Sequence, residues 1–207
     1  MGGLSRLLAE AICVVAALDR GLPIREAPMP ADYSMGDFSQ DVQLVQATRG
    51  GDRAAFGELY QRYKRMVHGV LLAHVPYEEV DDLLQDVFLI ALRRLESLRE
   101  PTAFAGWLLA ITRNRANDFH RRPRPAEELR DTAASGDRDE QEARVALAAI
   151  QALPLAYRET LSLRLVEGMT GPEIAARTGL TPASVRVNLH RGMKQLREKL
   201  GKSANHE

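Results

Sequence analysis

Cysteine is nearly absent: Cys13 is the only one among 207 residues. No disulfide can close within the chain, and a zinc site built on several thiolates is excluded. The five histidines are scattered, so no metal ligand is assigned. Aromatics make up only 5% of the residues, which leaves the core to Leu, Val, Ile and Ala. Long apolar runs are missing too. The segment Ala11–Leu18, AICVVAAL, falls far short of the roughly 20 residues that span a bilayer. Glu10 and Asp19 bracket it and Arg6 is the only early basic residue, which is not the layout of a signal peptide. Leu4, Leu7, Leu8, Ile12, Val15 and Leu18 instead suit one face of an amphipathic helix. There is no Gly-rich phosphate loop, nucleophile elbow or metal-spaced histidine set. No catalytic residue and no cofactor is therefore assigned, stable membrane insertion is not expected, and a reducing cytoplasm fits.

Net charge is also missing: 28 Lys and Arg balance 28 Asp and Glu. A general nucleic-acid binder would carry a positive excess, but the distribution hides one. Arg113, Arg115, Arg121, Arg122 and Arg124 form a basic stretch interrupted only by Asp118. Glu127, Glu128, Asp131, Asp137, Asp139, Glu140 and Glu142 follow as an acidic one. Arg186, Arg191, Lys194, Arg197, Lys199 and Lys202 are basic again, against Glu198. Two cationic surfaces flank an anionic strip, and the sum hides both.

What is present is helical periodicity. Residues 1–40 read as an extension, with Pro23, Pro28, Pro30, Gly21 and Gly36 in its second half; an alternative translation start at Met35 would remove most of it. A first domain is expected over 41–122. Asp41 and Asp52 are candidate helix caps. Phe56, Leu59, Tyr60, Tyr63, Val67, Val70 and Leu71 form an apolar stripe. Val80, Leu83, Leu84, Val87, Phe88, Ala91 and Leu95 form another, with Asp81, Asp82, Gln85 and Asp86 on the opposite side. Ser97–Thr102 should be a loop, and a helix carrying Phe104, Trp107, Leu108 and Ile111 should end before Pro123. Trp107 lies in the apolar stripe, which favours packing over stacking on a base. Residues 123–141 read as a flexible acidic linker. A second domain is expected over 142–202, with helices at 142–151, 155–166, 170–178 and 182–200, and a tail at 203–207. The fold class is all-α, with no strand-like alternation.

The strongest local motif runs from Thr170 to Leu196. Thr170 with Glu173 suits a capping box. Gly179 suits a tight turn requiring positive φ. Thr181 and Pro182 suit the start of the next helix. This is helix-turn-helix logic, in which the second helix enters the DNA major groove. Its outward residues are Arg186, Asn188, His190 and Arg191, with Lys194 placed for phosphate.

Taken together, VDDLLQDVFLIALRRLESL (80–98), FAGWLLAITRNRANDFHRR (104–122) and ALPLAYRETLSLRLVEGMTGPEIAARTGLTPASVR (152–186) resemble extracytoplasmic-function sigma factors of the sigma-70 superfamily. The resemblance covers about residues 41–200. It implies a protein that binds core RNA polymerase and directs promoter-specific initiation, and that is held by an anti-sigma factor. By the resemblance, Asp81, Asp82, Gln85, Asp86 and Leu89 would face polymerase. Leu98, Arg99 and Glu100 would lie in the loop that captures an unpaired −10 base, and Arg113, Asn114, Arg115, Arg121 and Arg122 beside the opening DNA. Arg186, Asn188, His190, Arg191 and Lys194 would take the −35 duplex. Two departures stand out: Val187 where a small polar residue is common, and Gly192-Met193 where Ala-Arg is usual. The alternatives are a stand-alone helix-turn-helix regulator, which needs only the second domain, and an adaptor that does not read DNA.

Overall fold

The computed structural model describes residues 36–121 and 138–203; the N-terminal amphipathic reading, Arg122 and most of the acidic linker lie outside them. The described residues form helices joined by short turns, with no strand among them. The helices are α1 (Gly36–Arg49), α2 (Arg53–Leu72), α3 (Val80–Arg94), α4 (Phe104–Arg121), α5 (Arg138–Gln151), α6 (Leu155–Leu161), α7 (Gly171–Thr178) and α8 (Pro182–Ser203). A π-helical turn, Ser162–Val166, continues α6.

In the first unit, α1, α3 and α4 surround α2, which buries Leu59, Tyr63, Met66, Val67, Val70 and Leu71. Asp52 caps α2 by accepting from the backbone N–H groups of Ala54 and Ala55, satisfying donors the helix leaves unpaired. The few aromatics are grouped. The Tyr60 and Phe88 rings lie 4.6 Å apart, and Tyr63 meets Phe104 edge-on at 5.1 Å. Trp107 is half-buried and packs on this core beside Phe104.

Asp41 departs from the expectation. The first helix starts at Gly36, so Asp41 is interior, buried and bonded to Arg62 Nε at 2.9 Å and to the Tyr63 hydroxyl. Burial and then the bond to Asp41 push the Tyr63 hydroxyl well above its usual pKa. The expected loop at 97–102 is bounded by two single 3₁₀ turns that overlap its ends, Leu95–Ser97 and Pro101–Ala103.

In the second unit, α6 and α8 cross closely over Leu161, Met193 and Leu196, with Ile150 and Leu153 below. The unusual Gly192-Met193 pair has its reason here. A Cβ on Gly192 would lie 3.0 Å from Leu161 Cδ1 and 3.1 Å from Tyr157 Cβ, while Met193 is buried. Helix α5 begins at Arg138, four residues before the expected Glu142.

The two units do not stand apart. A single apolar cluster runs from Val45 in α1 through α2, α3 and α4 to Leu163, Ile174, Ala175 and Val185. Leu163, at 0% exposure on the π turn, packs against α2. Side chains of that size, fully buried, each contribute about 2 kcal/mol.

Candidate polymerase and promoter surfaces

The capping box at Thr170 is formed. Glu173 N–H donates to Thr170 Oγ1, and Thr170 N–H donates to Glu173 Oε2 at 2.6 Å. Gly179 ends α7 with φ of 73°, its N–H returning to the Ala175 carbonyl. Thr181 Oγ1 accepts from Ser184 N–H at 3.1 Å where α8 begins. Buried Ile174, Ala175 and Val185 lock the two helices together. This fixes the roll of α8, leaving Arg186, His190, Arg191 and Lys194 exposed and Asn188 half-buried. Val187 is 43% exposed beside them.

On α3 the apolar stripe turns inward and leaves the opposite face in solvent. Asp81, Asp82 and Gln85 are exposed, and Leu89 and Leu92 are 49% and 44% exposed. Apolar side chains that size, left open next to three polar groups, form an amphipathic face of the kind that meets a protein partner. Asp86 differs. It accepts from Arg115 Nε at 3.1 Å and Nη2 at 2.5 Å, joining α3 to α4. The pair joins a residue that the resemblance places toward polymerase to one that it places beside the opening DNA.

The loop residues also divide. Arg99 and Glu100 are exposed, but the Leu98 side chain is 4% exposed and belongs to the core. Arg49, at the end of α1, donates to the carbonyls of Leu95 and Leu98 and fixes the base of the loop. A lone arginine near a helix end gives no such signal in sequence. Asn114 and Arg121 are exposed on α4.

Arg113 is held by the other unit. Its Nε donates to Glu159 Oε1 at 3.0 Å and its Nη2 to Oε2 at 2.6 Å. His74 Nε2 lies 2.7 Å from the same Oε1. Burial alone would raise the Glu159 pKa, but the hydrogen bonds and charges of His74 and Arg113 outweigh it and hold the carboxyl below its ordinary range. The bond to Glu159 likewise raises Arg113. No group of three or more His, Cys, Asp or Glu side chains suited to a metal occurs among the described residues. Nor is any described helix long and apolar enough to cross a membrane.

Two family models match the chain: Sigma-70 region 2 over residues 59–125 and Sigma-70, region 4 over residues 143–196. The RNA polymerase sigma factor CarQ of Myxococcus xanthus is 36% identical over 162 residues, 74% of this chain and 93% of CarQ. This chain is an extracytoplasmic-function sigma factor. It directs transcription initiation. The ECF RNA polymerase sigma-E factor of Escherichia coli K12 is 29% identical over 80% of this chain and 97% of its own length. Among solved structures, CnrH in complex with the cytosolic domain of CnrY is 28% identical with a TM-score of 0.55, covering 79% of the sigma factor and 98% of CnrH.

Proposed function

We propose that the sigma factor divides its work between two domains, 41–122 and 142–202, within the bacterial cytoplasm. The exposed α3 face of Asp81, Asp82, Gln85 and Leu89 docks on core RNA polymerase, where carboxylates paired with partner arginines give orientation and Leu89 gives apolar contact. Asp86, whose side chain is half exposed, adds to this face while it pairs with Arg115. Arg99 and Glu100 line the site for an extruded −10 base, with Leu98 shaping it from beneath. Asn114, Arg121 and Arg122 meet the opened strand, and Arg113 and Arg115 join them once released from their carboxylates. In the second domain α8 enters the major groove of the −35 duplex. Arg186 and Arg191 suit guanine edges, Asn188 adenine, and exposed Val187 a thymine methyl, while His190 lies alongside and Lys194 meets phosphate.

The observation that carries this reading is the roll of α8: with Val185 and Met193 packed inward, Arg186, His190, Arg191 and Lys194 are exposed while Asn188 is half-buried at the edge. The chain performs no covalent chemistry; polymerase does that. An anti-sigma protein is the expected inhibitor, in keeping with the CnrH relative, whose structure holds the cytosolic domain of CnrY. The test is run-off transcription with core polymerase on fragments upstream of the sigma factor's own gene. A transcript that requires the protein and weakens in the Arg186→Ala, Arg191→Ala variant supports the reading. Operator binding that needs no polymerase, with no core binding, would instead make the chain a stand-alone regulator.

A further inference from the structure

The exposed residues Arg99 and Glu100 stand on a short span whose two ends are fixed. At the near end the Leu98 side chain is buried, and its N–H donates to the Leu95 carbonyl at 3.2 Å. At the far end Pro101 opens a 3₁₀ turn, and its ring leaves φ little freedom. There the Glu100 carbonyl accepts from Ala103 N–H at 2.9 Å. Leu98 and Glu100 are both extended, with φ of −71° and −110°. Arg99 alone lies between them.

Arg49 holds the near end from a different helix. Its Nη2 donates to the Leu95 carbonyl at 3.1 Å and also to that of Leu98. One nitrogen with two hydrogens thus draws together two carbonyls that would otherwise repel each other. The arm starts from a fixed corner. The N–H groups of Gly50, Gly51 and Asp52 return to the carbonyls of Gln46, Thr48 and Ala47, each at 3.0 Å, and Gly51 takes φ of 94°. Helix α1 packs against both 3₁₀ turns that flank the span. Arg49 is half-buried and spends its guanidinium on backbone, whereas Arg99 faces solvent.

We propose that Arg49 is a positioning residue for the −10 base: it fixes the backbone at Leu98, and through it the place of Arg99 and Glu100, so that the loop accepts one base over the others. The inference rests on the proposed −10 role of this loop. Extruding a base from the stack is unfavourable. A loop already in its receiving conformation spares the ordering that binding would otherwise require. Without Arg49 the Leu98 peptide is free to turn, and the two exposed residues lose their common geometry. The base is then held and discriminated less, while the contacts of α8 are unaffected.

The test is DNA binding by holoenzyme assembled from the full chain and core polymerase. A pool of duplexes, each with a randomised single-stranded segment, is selected with the wild-type holoenzyme, which should enrich one base at one position. The selected DNA is then compared with a copy lacking that base. Base removal should weaken wild-type binding about tenfold, toward the lower end of what a stacked base contributes. For Arg49→Met the same removal should cost less than about threefold, and selection should no longer favour one base at that position. Arg49→Lys, whose ammonium has hydrogens for both carbonyls on a shorter arm, should restore most of the wild-type ratio. Urea denaturation checks that each variant is folded, and Arg49→Gln replaces Arg49→Met if the latter is not. An undiminished ratio in the folded variant would overturn the proposal, even with both DNAs bound more weakly, because a general loss of stability moves them together. If the wild-type holoenzyme enriches no base, or base removal changes nothing, the −10 reading of the loop falls and this inference with it. A wild-type ratio retained by the variant sinks the inference alone.

Discussion

Replacing Glu159 by Gln should weaken the folded structure by about 1–2 kcal/mol. Removing one partner of a buried ion pair commonly costs about 3–5 kcal/mol, because the other charge is left without a counterion in a dry site. Two features reduce that here. The Arg113 side chain is 41% exposed, so water can replace part of what Glu159 provided. Glutamine also keeps one oxygen that can accept from Arg113. The assay is urea denaturation of the full chain for wild type, Glu159→Gln, Arg113→Ala and the double variant, read as a double-mutant cycle. A coupling energy of about 1 kcal/mol is expected. pH gives a second reading. The folded pKa of Glu159 lies below its ordinary value of 4.5. Its contribution is therefore complete above 4.5 and disappears as pH falls through the depressed folded value, where the unfolded chain has already taken up the proton. The gap between wild type and Glu159→Gln should thus be full at neutral pH and close in acid below 4.5. A coupling energy indistinguishable from zero, or a gap that widens as pH falls, would refute the reasoning.

Gly192→Leu should destabilise the C-terminal unit by about 1–3 kcal/mol in thermal denaturation, since the new side chain must displace Leu161 and Tyr157 at the α6–α8 crossing. Thr170→Ala should cost about 1 kcal/mol by opening the capping box, measurable in the same melt. Lys194→Ala should weaken promoter binding nearly equally across sequences and reduce the salt slope by about 1, whereas Arg186→Ala should relax base preference at one −35 position, both read from binding titrations over a salt series.

The helix-turn-helix was legible in the sequence because its signals are local. Thr170, Glu173, Gly179 and Thr181 each act within a few residues, and the structure forms the cap, the capping box and the left-handed turn they predict. The amphipathic faces of α2 and α3 were equally legible, since a period of 3.6 assigns each side chain to core or solvent before any partner is known. Burial of Leu98 and the interior place of Asp41 were less so: each depends on where a helix starts or on what lies across a loop. Local pattern also gave no sign that Asp86 pairs with Arg115, that Arg49 props the loop, or that the second unit folds back onto the first. Glu159 and Glu167 read as ordinary helix-surface acids, and their partners lie 46 to 102 residues away. The sequence by itself determined the helical faces, the caps at Asp52, Thr170 and Thr181, and the face α8 turns outward. Only the tertiary structure decided which charges are free to meet polymerase and DNA and which are already held, because pairing between distant side chains depends on how the helices pack and has no period along the chain.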